Sequence, residues 1–96
     1  MNDKLKMEAS DELFKAILLL KDVEECYDFF EDICTVNEIK SLAQRFEVAK
    51  LLKEGETYTN IAKVTGASTA TISRVNRAFS YGTGGYRSIL ERIKEN

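Results

Sequence analysis

Histidine, proline and tryptophan are absent from the sequence, cysteine occurs twice, and no carboxylate side chain occurs between Thr57 and Leu90. The absence of histidine removes the commonest general base and metal ligand. Zinc sites of the usual kinds take three or four Cys, His or carboxylate ligands, so Cys26 and Cys34 do not assemble one; they are expected to pack as buried, reduced thiols. The acidic side chains Asp22, Glu24, Glu25, Asp28, Glu31 and Asp32 have the spacing of a solvated helix face rather than of an acid–base pair. No catalytic pair can be assembled, and the chain is not expected to be an enzyme. No apolar run approaches the roughly 20 residues of a membrane span. No basic segment leads into an apolar stretch as in a secretory signal, so a soluble, cytoplasmic protein is expected.

What is present is apolar and helical in character. Hydrophobic residues make up 44 % of the 96, with only five glycines, a composition that favours a compact, mainly helical chain. A chain of this length buries only roughly 60–65 % of the surface its unfolded form exposes. Apolar helix faces beyond that capacity find cover in a symmetric dimer.

Residues 1–9 are polar and lack periodicity, which reads as a flexible arm to a single helical domain spanning 1–96. Residues 10–54 read as dimerisation helices. Ser10 offers a cap for Leu13, Phe14, Ile17, Leu18, Leu19 and Leu20. Asp22 and Glu25 have capping-box spacing before Val23, Cys26, Tyr27, Phe29, Phe30 and Ile33, and Thr35 with Glu38 repeats it. Ile39, Leu42, Ala43, Phe46, Ala49, Leu51 and Leu52 then recur mostly three and four apart, until Gly55 ends the helix. Within 57–79, Thr57, Thr59 and Asn60 start a short helix, Gly66 breaks it, and Ser68 caps the next. Residues 80–86, "SYGTGGY", read as a glycine-rich hinge, and 87–96 as a C-terminal helix. The glycines follow a helix and precede no Lys-Ser/Thr pair, so they do not form a phosphate loop. No strand pattern occurs.

Charge is unevenly placed. Met1 to Glu56 holds 14 acidic and 8 basic residues, whereas Thr57 to Leu90 holds Lys63, Arg74, Arg77 and Arg87 against none. A surface free of carboxylates suits a polyanion, because a misplaced acid there repels phosphate. Within this segment Ala62 stands four before Gly66, and Ile72 and Val75 stand six and nine after it. That is the packing logic of a helix-turn-helix: a small residue for close approach, a glycine turn, and apolar anchors on the second helix. Thr65 occupies a position that is usually apolar. The face left outward carries Ser68, Thr69, Ala70, Ser73, Arg74 and Arg77, with Thr71 and Asn76 at its flanks; the outward six, with Thr71 and Lys63, are the expected contacts to double-stranded DNA. Small hydroxyls and a methyl let the helix tip approach base edges, and the arginines reach phosphate or guanine.

Two apolar N-terminal helices, the run "CTVNEIKSLAQRFEVAKLLKEGETYTNIAKVTGASTATISR" and a glycine hinge before a last helix resemble the Trp repressor superfamily, most closely its YerC/YecD-type branch. The resemblance covers roughly Glu25 to the C-terminus, and "GASTATISR" is its most specific portion. It implies an all-α fold of about six helices, an intertwined homodimer, and a transcriptional repressor reading a pseudo-palindromic operator. In the family's best-known member a tryptophan corepressor lies between two arginines. Arg45 and Arg74 resemble those arginines, allowing a one-residue gap after Gly55, and Thr35 resembles a residue lining the same pocket. These three are the candidate pocket for an unidentified small-molecule effector. Val75 stands where the tryptophan-binding protein has glycine, and its branched side chain is expected to exclude tryptophan, leaving no cofactor assigned. The alternative reading is a helical protein-interaction module whose N-terminal helices bind another protein and whose helix-turn-helix is scaffold. Salt dependence of DNA binding separates the two.

Overall fold

The computed structural model describes residues 6–95, which form six helices: α1 (Glu8–Ile17), α2 (Val23–Ile33), α3 (Val36–Lys53), α4 (Tyr58–Thr65), α5 (Thr69–Tyr81) and α6 (Gly85–Glu95). No strand occurs among the described residues, and no helix is long and apolar enough to cross a membrane. The chain forms two compact units, one ending at Ile39 and one beginning at Lys40, so the division falls inside α3.

In the N-terminal unit, local capping sets most of the helix ends. The Asp22 carboxylate accepts the Glu25 N–H at 2.8 Å, while the Glu25 carboxylate accepts the Lys21 N–H at 2.9 Å. Thr35 and Glu38 make the reciprocal capping box at the start of α3: the Thr35 N–H donates to the Glu38 carboxylate at 2.8 Å and the Glu38 N–H to the Thr35 hydroxyl at 3.1 Å. Those bonds, the backbone one first, hold the Glu38 carboxyl below its ordinary value of 4.5. The start of α1 differs from expectation. Its N-cap is Met7, without a side-chain cap, and Ser10 lies inside the helix. The expected arm over 1–9 therefore gives way to helix at Glu8, and residues 1–5 lie outside the described residues. Acidic side chains in the first turn of α1, Glu8 and Asp11, favour this start by complementing the helix dipole.

Neither α1 nor α2 contains a buried residue. Phe29 and Phe30 meet edge to face with ring centroids 5.6 Å apart, yet Leu18 is 83 %, Leu19 77 % and Val23 72 % exposed. Cys26 and Cys34 are free and half-buried rather than buried. The unit carries apolar surface that its own chain leaves uncovered, beyond the scattered single residues that are ordinary on a soluble surface.

The C-terminal unit has a true core, with one or two side chains from every element: Val48 and Ala49 of α3, Ile61 of α4, Ala67 of the turn, Ile72 and Val75 of α5, and Leu90 of α6. Full burial of each large aliphatic contributes roughly 1.5–3 kcal/mol. The apolar stripe expected on α3 is shifted: Val48 is fully buried, whereas Leu42 and Ala43 are exposed and Phe46, Leu51 and Leu52 only half-buried. Periodicity marks a face but not what covers it. The helix ends in a Schellman arrangement, with Gly55 at φ +83° and the Glu56 and Gly55 N–H groups donating to the Leu51 and Leu52 carbonyls. The glycine hinge is narrower than residues 80–86, because α5 runs through Tyr81 and α6 starts at Gly85. Arg87 ties the two together: its guanidinium lies 4.4 Å from the Phe79 ring centroid and its Nε donates to the Phe79 carbonyl at 3.0 Å.

Candidate nucleic-acid interface

Helices α4 and α5 and the turn 66–68 between them make a helix-turn-helix, and each part has a local cause. The Thr57 hydroxyl accepts the Asn60 N–H at 3.1 Å and opens α4. Gly66 closes it at φ +74°, a left-handed conformation in which a side chain is strained, with its N–H donating to the Ala62 carbonyl. Ser68 caps α5: its hydroxyl accepts the Thr71 N–H and donates to the Thr71 hydroxyl, both at 3.1 Å. The inner face of α5 is fixed by Ile72 and Val75, at 0 % and 2 % exposure.

That anchoring leaves the other face outward. Ser68, Thr69, Ala70, Arg74 and Arg77 are exposed, Thr71 and Ser73 half-buried at its edge, and Lys63 exposed on α4. The first turn of α5 contains no acid, so the positive end of the helix dipole is left uncompensated at the tip. Among the described residues the ion pair is Lys53–Glu91, at 2.8 Å, and it holds the Glu91 carboxyl below its ordinary value. Among the described residues Arg74 and Arg77 thus pair with no carboxylate. Of the four cations in the acid-free segment, Lys63, Arg74 and Arg77 belong to the motif, while Arg87 is committed to Phe79.

The candidate effector residues are placed differently. Arg45 is half-buried on α3 and Arg74 exposed on α5; Thr35 belongs to the N-terminal unit, where its hydroxyl is committed to capping α3. An open cleft beside α3 is walled by Lys40, Gln44, Glu47, Lys50 and Thr65 among others, and neither arginine lines it. Among the described residues no three His, Cys, Asp or Glu side chains are grouped to hold a metal ion.

Three features of the motif escaped the sequence reading. Ala67 is 5 % exposed and belongs to the core. The Thr65 hydroxyl donates to the Ile61 carbonyl at 2.7 Å and accepts the Ala67 N–H at 3.1 Å. Gln44 of α3 donates from Nε2 to the Thr65 carbonyl at 3.2 Å. The threonine–glycine–alanine order was the available signal for the second, since a hydroxyl two residues before an N–H closes a local turn. The Gln44 bond spans 21 residues and leaves no local trace.

The chain matches the family described as Trp repressor protein over residues 8–94. It is 60 % identical over 93 residues to a protein of Bacillus subtilis (strain 168) called uncharacterized protein YerC, covering 97 % of this chain and 89 % of that one. Two solved structures superpose with a TM-score of 0.94. One, a TrpR-like protein from Eubacterium eligens ATCC 27750, is 63 % identical, over 97 % of this chain and 96 % of that one. The other, described as a Trp repressor assigned putatively in Staphylococcus aureus, is 55 % identical, over 100 % and 97 %.

Proposed function

The chain belongs to the Trp repressor family, and from that premise we propose that it is a cytoplasmic, sequence-specific DNA-binding transcriptional regulator, a repressor that acts as a homodimer on a pseudo-palindromic operator. The observation that carries the reading is the outer face of α5. A helix anchored by Ile72 and Val75 presents two small hydroxyl side chains, a methyl and two arginines that pair with no carboxylate among the described residues, with no acid on the sequence segment around it. Thr69 and Ala70 at the tip enter the major groove, where Thr bonds base edges and the methyl meets thymine. Lys63, Arg74 and Arg77 meet phosphate and set the register. Ser68 and Thr71, which cap the helix through each other, hold its N–H groups toward the backbone.

The uncovered apolar side chains of α1 and α2 supply the dimer contact. A two-fold dimer of this motif places its reading helices about 34–36 Å apart, one turn of the duplex, as in helix-turn-helix dimers generally, Trp repressor among them. Bound dimers block access of polymerase. Tryptophan is not the effector in this reading, because Val75 fills its position in the core.

The same uncovered apolar side chains favour the second reading, a protein-interaction module. Selection of bound duplexes from a sheared genomic library, at low and at physiological salt, separates them. Recovery of a pseudo-palindromic site supports the regulator. Recovery of nothing above background at either salt means either that a missing effector must prime the reading helices or that the interaction module moves to the front.

A further inference from the structure

The turn of the motif is built around a residue that helix-turn-helix packing does not call for. We propose that Thr65 is a positioning residue, whose hydroxyl fixes the orientation in which α5 is presented to DNA, and that Gln44 braces it from α3; the inference rests on the DNA-binding reading above.

One hydroxyl makes two bonds here. Its proton goes to the Ile61 carbonyl at 2.7 Å, an i−4 bond that locks its rotation, and the oxygen so oriented accepts the Ala67 N–H at 3.1 Å. Ile61 is fully buried and Ala67 5 % exposed. The hydroxyl therefore joins the last turn of α4 to the residue that pins the connecting turn into the core. The Thr65 carbonyl, one of those a helix end leaves without an intrahelical partner, takes the Gln44 amide at 3.2 Å. Three elements, α3, α4 and the lead into α5, are thus coupled at a single residue. An apolar residue at 65 fills the same space but leaves the Ala67 N–H without this acceptor.

The consequence lies two residues on. Thr69 and Ala70 directly follow Ser68, so the direction in which Ala67 leaves the turn sets where they point. Base-edge hydrogen bonds weaken steeply with misalignment, whereas long arginine and lysine side chains on phosphate accommodate a small rotation. Loss of the hydroxyl therefore costs discrimination between sequences rather than affinity for DNA in general.

The test uses the full-length protein with two probes, the tightest duplex recovered in the genomic selection and a scrambled duplex of equal length, each titrated over a salt series. Thr65→Val, an isostere without the hydroxyl, is expected to lower the selected-to-scrambled affinity ratio about tenfold, the scale of one mismatched base pair. Affinity for the scrambled duplex and its salt slope stay at the parent's values. Thr65→Ser, which keeps both bonds, restores the ratio. Gln44→Leu lowers it in the same direction, and combining it with Thr65→Val adds less than the two separate effects, as members of one network do. A purely structural role lowers thermal stability and active fraction but leaves the ratio of active protein alone. A Thr65→Val protein with the parent's ratio overturns the inference, as does a Thr65→Ser protein as poor as Thr65→Val. A parent that prefers no duplex overturns the regulator reading itself, and this inference with it.

Discussion

Neutralising Arg77 is the perturbation whose magnitude the structure fixes most directly. Arg77 is exposed, pairs with no carboxylate among the described residues, and lies on the face of α5 away from Ile72 and Val75. Arg77→Gln therefore leaves the core as it is, and stability is expected to stay within about 0.5 kcal/mol of the parent. Taking Lys63, Arg74 and Arg77 as the phosphate contacts of each protomer, a dimer neutralises about six phosphates, and log Kobs falls with log[salt] with a slope of about −5. Between 50 and 200 mM salt that slope amounts to a loss on the order of a thousandfold. The substitution removes two contacts per dimer, reduces the slope by about 2, and shrinks the same loss to the order of a hundredfold. Fluorescence anisotropy titrations of a labelled selected duplex and its scrambled counterpart, at four or more salt concentrations, measure both slopes. Both duplexes weaken alike, because phosphate carries no sequence. A slope equal to the parent's refutes the phosphate role of Arg77, and weakening confined to the selected duplex assigns it to a base instead. Arg77→Glu, which adds repulsion, weakens every duplex further.

Other perturbations reach the remaining elements. Thr69→Asp places a carboxylate at the tip of α5 and is expected to abolish binding to every duplex, checked by the same titration. Gly82→Ala has ordinary backbone angles but pushes a Cβ into the backbone carbonyl of Ala78; overpacking of this kind costs about 1–3 kcal/mol, read as a lower urea midpoint. Calorimetric titration with tryptophan is expected to give no micromolar binding, since overpacking at a filled site costs about 1–3 kcal/mol; such binding would contradict the role given to Val75. The Glu38 carboxyl is expected to titrate below 4.5 by NMR. Because its folded value is depressed, its stabilisation is complete above that ordinary value and is lost as pH falls through the lower folded one. In Thr35→Ala the larger, backbone part of the depression survives and the hydroxyl part disappears.

Most of the fold was legible wherever a local pairing has a physical cause. The Asp22–Glu25 and Thr35–Glu38 spacings, Gly55, Gly66 and the Ser68 cap all stand where three- or four-residue patterns place them. Ile72 and Val75 were legible as core because the helix-turn-helix spacing specifies which face turns inward. Contacts made across the fold were not. Leu90 joins the core and Arg87 seats on Phe79 because α6 returns over α5, and no periodicity in the "SYGTGGY" region announces that return. On α3 the exposed Leu42 and the buried Val48 reverse a pattern-based ranking, since burial depends on which neighbours arrive and not on the helix alone. The motif's outer face could be read from residue types, but Thr65 looked like a departure from the apolar rule until its two hydrogen bonds were visible.

The two compact units divide the chain's charge as sharply as its apolar surface. Residues 1–39 hold eleven acids against four bases, and residues 40–96 hold ten bases against five acids. The unit with uncovered apolar side chains is the one a polyanion repels, and the unit with the covered core is the one it attracts. For the proposed dimer this arrangement separates two kinds of partner. Acids among the apolar residues of α1 and α2 keep DNA from competing with the second copy, while the cations of α5 have no acid in sequence around them to cancel their pull. Screening completes the division. At physiological salt a charge is felt over about 8 Å, so only charges close to the phosphate act on it, and the overall charge of −2 has little bearing on the encounter. The field at α5, and not the isoelectric point, is what decides whether this protein meets DNA.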